Sequence, residues 1–127
     1  MKALVIDDSR TMRRIITSIL APMGFEVVEA ADGQQALDAM NAGLEVELAC
    51  VDWNMPVLDG LSFVTAVRRE RRWRDVTLMM VTTESEQAQI VRALAAGAHE
   101  YLIKPFTPDA IRDKLQLLGL VELEESA

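Results

Sequence analysis

The chain has 127 residues, half of them apolar, one cysteine and a formal net charge of −7. That size suits one compact domain rather than two. The lone Cys50 excludes a disulfide framework and a cysteine-rich metal site and fits a reducing cytoplasm, and the acidic balance disfavours direct nucleic-acid binding.

The apolar start, Ala3 to Ile6, is interrupted at once by Asp7 and Asp8, which leaves no room for a signal peptide or membrane span. It reads as the first of five strands, with Glu26 to Glu29, Leu48 to Asp52, Thr77 to Thr82 and Glu100 to Ile103 following. The third and fourth are the most continuously apolar, as central strands covered on both faces should be. Helical patterns separate the strands. The first carries Met12, Ile15, Ile16, Ile19 and Leu20 toward a core, with Arg13 and Arg14 pointing away and Gly24 as its stop. Asp32-Gly33 opens a second helix through Ala36, Leu37 and Met40 that closes at Gly43, and Asp59-Gly60 precedes a third bearing Leu61, Val64 and Val67. Five of the thirteen basic residues, Arg68, Arg69, Arg71, Arg72 and Arg74, then fall within seven positions. They read as a solvated helix end. Thr83 and Glu86 form a capping-box pattern for a fourth helix with Ile90, Val91 and Leu94 as its apolar stripe, ending at Gly97. His99 lacks a partner pattern and reads as a surface residue. Thr107-Pro108 starts a fifth helix with Ile111, Leu115 and Leu118. The domain is expected over residues 1–119, with 120–127 a short acidic tail.

This alternation predicts an α/β domain on a doubly wound parallel sheet. In such a sheet ligands bind beyond the carboxyl ends of the strands, where strand order reverses. Asp7 and Asp8, Asp52, Thr82 and Lys104 each follow or end a different strand and should converge. Taken singly, each has an ordinary alternative: a helix cap, a turn residue, a strand end, a solvated cation. Their joint placement favours a site. Three carboxylates together need a cation, and an all-oxygen donor set suits Mg²⁺. An aspartate can act as nucleophile toward phosphorus, a reaction that depends on positioning and neutralisation of charge.

The segments Val5-Ile6-Asp7-Asp8-Ser9, Val51-Asp52-Trp53-Asn54-Met55-Pro56-Val57-Leu58-Asp59-Gly60, Met80-Val81-Thr82 and Tyr101-Leu102-Ile103-Lys104-Pro105-Phe106 resemble the response-regulator receiver domains of bacterial two-component systems, of the single-domain, CheY-like type. The resemblance runs from about Lys2 to Leu118. It implies a flavodoxin-like fold with five strands in the order 2-1-3-4-5 and five helices. It further implies phosphorylation of Asp52 by a histidine kinase or histidine phosphotransfer protein, with Mg²⁺ held by Asp7, Asp8, Asp52 and the Asn54 backbone carbonyl. Lys104 and Thr82 would meet the phosphoryl oxygens, Tyr101 would be the aromatic partner of that switch, Asn54 and Glu84 would tune its lifetime, and Lys104-Pro105 would be a cis bond. Output would leave through a protein target on the face of helix four, strand five and helix five, near Ala88, Val91, Arg92, Ala95, Tyr101 and Lys114, in chemotaxis or motility control among other pathways. Thr83 departs from the family's usual Ala or Gly.

Two other readings compete. Aspartyl-nucleophile phosphohydrolases need a second acidic residue two positions after the nucleophile, where this chain has Asn54, and a cap domain for which there is no spare length. A flavodoxin-like cofactor binder needs a phosphate loop after the first strand, where Asp7-Asp8 would repel a phosphate. The expected protein is therefore a cytoplasmic signalling switch rather than an enzyme.

Overall fold

A computed structural model of the chain describes residues 1–122. It contains, in order, β1 (Lys2–Ile6), α1 (Arg10–Leu20), β2 (Glu26–Ala30), α2 (Gly33–Asn41), β3 (Leu48–Val51), α3 (Gly60–Arg69), β4 (Thr77–Thr82), α4 (Gln87–Ala96), β5 (Glu100–Ile103) and α5 (Pro108–Leu117), with 3-10 turns at Ala21–Met23 and Arg71–Trp73. The strands form one parallel sheet in the order β2-β1-β3-β4-β5. β3 is its middle strand, and β1 shares the interior with β3 and β4.

Alternation of side chains along each strand divides the core into two layers. Leu4, Ile6, Ala49, Val51, Leu78 and Met80 face Phe63, Val64 and Val67 of α3 with Ala36 and Met40 of α2, while Ala3, Val5, Leu48, Cys50, Met79 and Val81 face Ile16 and Leu20 of α1 with Ile111 and Leu115 of α5. Burial pushes the Cys50 thiol up to about 12. Leu120 and Val121 pack against the second layer, so apolar packing continues past Gly119. The rest of the acidic tail, from 123 onward, lies outside the described residues. Among the described residues no helix is long and apolar enough to cross a membrane.

Side-chain caps start four of the helices: Ser9, Asp32, Asp59 and Thr107 accept from the amides of Met12, Gln35, Ser62 and Ala110, each satisfying a donor the first turn leaves open. α4 departs from expectation. It begins at Gln87, which makes Glu86 the capping residue itself, without a side-chain bond, so the Thr83–Glu86 capping box does not form. Its apolar stripe is also misplaced: only Ala93 is fully buried, whereas Val91 is 57% and Leu94 43% exposed. On α1, Ile15 faces solvent and Arg13 folds inward.

Candidate functional site

Sheet hydrogen bonds hold the residues after the strands. The amides of Asp7, Asp52 and Lys104 donate to the carbonyls of Ala30, Ile6 and Thr82 at 3.1, 2.9 and 2.9 Å, extending the ladder one residue beyond β1, β3 and β5. Three side chains from two neighbouring strands are thereby brought together at the reversal of strand order. Carboxylate oxygens of Asp7, Asp8 and Asp52 all lie within 4.8 Å of one another. Asp7 and Asp52 are buried and Asp8 is exposed.

Lys104 enters from β5 with its Nζ 2.7 Å from Asp7 Oδ2 and 3.5 Å from Asp52 Oδ2. Asp7 Oδ1 accepts the Ser9 amide at 2.9 Å, while Asp52 Oδ1 accepts the Trp53 amide at 2.8 Å. These contacts fix both carboxylate planes. Burial pushes the Asp52 carboxyl above its usual range and Asp7 adds to this; Lys104, the Thr82 hydroxyl and the Trp53 amide pull it back. The Lys104–Pro105 peptide is cis.

The mouth of the site is built from the β4–α4 segment. Thr82 is fully buried, and its hydroxyl accepts the Glu84 amide at 3.3 Å. The Tyr101 hydroxyl donates to the Glu84 carbonyl at 2.7 Å from a ring that is 7% exposed. Asn54 Nδ2 donates to Glu84 Oε1 at 2.7 Å, a bond from the segment after β3 to the segment after β4. Thr83 is exposed beside them. Asp8 and Asn54 are exposed as well.

Several contributors were hidden at the sequence level. A Cβ on Gly60 would stand 2.1 Å from the Asp52 carbonyl oxygen, so only glycine lets α3 begin against the phosphoacceptor candidate's backbone; the Asp59-Gly60 pair was the available signal. Arg13, expected to point away, donates from Nη1 to the Asp7 carbonyl at 2.7 Å and pairs with Glu29 at 3.1 Å. Arg92, expected on the output face, is exposed, yet its guanidinium carbon lies 6.0 Å from the Trp53 ring centroid.

The donor set fits a hard divalent cation. All three converging ligands are carboxylates, and no His or Cys shares the cluster. Two of the three carboxylates already share one ammonium, so a further positive charge would relieve their mutual repulsion.

A model of the response regulator receiver domain matches residues 3–116. The chain belongs to the response-regulator receiver family. This receiver domain is 42% identical over 119 residues, 93% of the chain and 96% of the relative, to the chemotaxis protein CheY1 of Helicobacter pylori. Among solved structures it is similar to the chemotaxis response regulator CheY4 of Vibrio cholerae, with a TM-score of 0.84 and 36% identity, covering 92% of this chain and 97% of that one. A second, the receiver domain of a sensor histidine kinase from Pseudomonas aeruginosa, has a magnesium ion coordinated in its active site cleft; its TM-score is 0.82 at 28% identity, covering 91% of this chain and 94% of that one. The receiver domain is accordingly a two-component signalling protein of the CheY type. These likenesses lend nothing to the phosphohydrolase reading.

Proposed function

We propose that Asp52 is the phosphoacceptor of a cytoplasmic, CheY-like switch in chemotaxis or motility control. The observation that carries this reading is the convergence of Asp7, Asp8 and Asp52 with the Lys104 ammonium between Asp7 and Asp52. The donor is a phosphohistidine on a histidine kinase or phosphotransfer protein. An Asp52 carboxylate oxygen bonds to phosphorus as the phosphorus–nitrogen bond breaks, and the imidazole leaves with the electron pair and takes up a proton. Asp7, Asp8, Asp52 and the Asn54 backbone carbonyl would hold Mg²⁺. When bound, that ion supplies neutralisation of the charge on the transferring group.

The protein's own residues supply the remainder. The Trp53 amide orients the Asp52 carboxylate. Lys104, shared between Asp7 and Asp52 in the resting site, moves its charge toward the phosphoryl oxygens without leaving a carboxylate far behind. The Thr82 hydroxyl, which accepts the Glu84 amide and favours the Asp52 carboxylate, turns its proton to a phosphoryl oxygen once Asp52 carries the group. Drawing Thr82 inward bears on Glu84, and Glu84 is the residue whose carbonyl anchors Tyr101. Phosphorylation is thereby read on the face of α4, β5 and α5, where Ala88, Val91 and Ala95 are exposed and Lys114 pairs with Glu100 at 3.0 Å. Asn54 and Glu84, joined by a hydrogen bond at the mouth of the site, tune the lifetime of the acyl phosphate by admitting or excluding the water that hydrolyses it.

Incubation with acetyl phosphate and Mg²⁺, followed by intact-protein and peptide mass spectrometry, tests the assignment. Wild type gains one base-labile phosphate on the peptide containing Asp52, chelation prevents it, and Asp52→Asn does not gain it. Equal labelling of Asp52→Asn, with the phosphate on the same peptide or elsewhere, assigns the nucleophile to another residue.

A further inference from the structure

α4 is held to the body of the domain by little apolar burial. Ala93 is its one fully buried residue, Ile90 and Ala96 are partly buried, and Val91 and Leu94 stand open. Against so small an anchor, a single additional contact between α4 and the sheet carries weight.

One such contact leads to the phosphoacceptor. Trp53 follows Asp52 directly; its amide donates to Asp52 Oδ1 at 2.8 Å and its ring is 8% exposed. The Arg92 guanidinium carbon lies 6.0 Å from the centroid of that ring, within cation–π range. Gln89, one turn earlier on α4, holds the guanidinium by accepting from Arg92 Nη1 at 3.2 Å. The contact therefore joins the middle of α4 to the backbone unit that orients the Asp52 carboxylate.

We propose that Arg92 is a positioning residue that transmits the state of Asp52 to α4 through the Trp53 ring, by a route separate from Thr82 and Tyr101. The proposal rests on Asp52 being the phosphoacceptor. A bond from Asp52 to a phosphoryl group changes what its Oδ1 offers to the Trp53 amide, and any resulting adjustment of the Trp53 backbone moves the ring on which Arg92 is placed. A two-state element responds to a ligand only through a contact that differs between the states. Tyr101 meets the β4–α4 segment at Glu84, ahead of the helix, whereas Arg92 meets the ring from inside it.

The test uses the full chain with beryllofluoride and Mg²⁺, read by amide and tryptophan indole chemical shifts. In wild type the changes reach the Trp53 indole and the amides of Leu94, Ala95 and Ala96. In Arg92→Ala the changes at those three amides fall by about two- to fivefold, the range an exposed cation–π contact can supply, while changes at Asp7, Asp8 and Tyr101 persist. Arg92→Lys restores most of the α4 response and the uncharged Arg92→Gln does not. If Arg92→Ala and Arg92→Gln give the wild-type α4 response, the proposal is wrong although the phosphoacceptor assignment stands. If wild type shows no change around Asp52, that assignment fails and takes the proposal with it. An Arg92→Ala chain whose free spectrum already loses the fold is replaced by Trp53→Leu in the same comparison, with the same expected loss at α4.

Discussion

Val57, in the segment that follows Asp52, adopts φ +69 and is the one non-glycine residue with positive φ among those described. The Leu58 amide donates to the Pro56 carbonyl at 2.8 Å across it, a three-residue turn of the rare, strained kind. A β-branched side chain opposes this conformation, and at 80% exposure Val57 gains almost no burial in return. Sparsely populated backbone conformations of this sort cost on the order of 1–3 kcal/mol. Val57→Asn, a residue that tolerates positive φ, is therefore expected to raise unfolding stability by about 1 kcal/mol, seen as a higher urea midpoint at unchanged slope. An unchanged or lower midpoint would show that the turn stores no strain. Nothing in the string Asn54-Met55-Pro56-Val57-Leu58-Asp59 announces this conformation, because valine is the residue least suited to signal it. The acidic site residues were legible for the opposite reason: each lies where an apolar run stops, and sheet geometry aims all such stops at one edge.

At the level of elements, the arginine-rich segment is not simply a solvated helix end. Arg68, at the end of α3, donates to the carbonyls of Gly97 and Val76 at 3.0 and 2.6 Å and, at longer range, to those of Trp73 and Arg74. A Cβ on Gly97 would meet the Arg68 side chain at 2.3 Å, so the glycine that ends α4 also seats the guanidinium. His99 completes the junction: its Nδ1 accepts the Leu78 amide at 3.1 Å and lies 3.2 Å from Arg68 Nη2. Two donors aimed at one ring nitrogen require the neutral tautomer with its proton on Nε2. Burial, and then the Arg68 charge, lower the His99 pKa below its ordinary 6.5. The folded chain thus binds fewer protons than the unfolded one as pH falls below about 6.5, and the stabilising contribution, complete above that pH, is lost as pH falls through the lower folded value. His99→Gln, which keeps an acceptor and cannot titrate, is expected to lose less stability than wild type between about pH 7.5 and 5.5, measured as the change in denaturation midpoint. Parallel losses in both proteins would place the acid sensitivity elsewhere. This junction escaped sequence reading because its partners are 29 and 31 positions apart, and no local period connects them. The fourth helix escaped for a related reason: with Glu86 as cap, the helix turns Val91 and Leu94 outward, although their spacing alone resembles a core stripe.

Over the whole molecule, the two layers are unequally committed. α1 and α5 each bury two large aliphatic side chains, Ile16 with Leu20 and Ile111 with Leu115, whereas α4 fully buries one alanine. Local opening free energies follow buried apolar area. Amides of α4 are expected to exchange with solvent by openings at least tenfold more frequent than those of α1 and α5, since α4 fully buries neither of the two large aliphatic chains that each of them does and the loss of even one such chain is worth about 1.4 kcal/mol. Native-state hydrogen exchange checks this, and equal protection across the three helices would contradict it. A lightly held helix beside the proposed phosphoacceptor is what such a switch would require, since a small change at Asp52 would then suffice to redistribute it. The buried thiol of Cys50, in the middle strand of the sheet and with its pKa pushed up to about 12, bears on how such a redistribution can be watched. Burial keeps it a neutral thiol, and a cysteine closed off in the core is inert toward alkylating reagents. Cysteines introduced at exposed Ala88 or Ala95 would therefore accept a spin label or a fluorophore while the native cysteine stays in place, leaving the core intact for distance measurements across the switch.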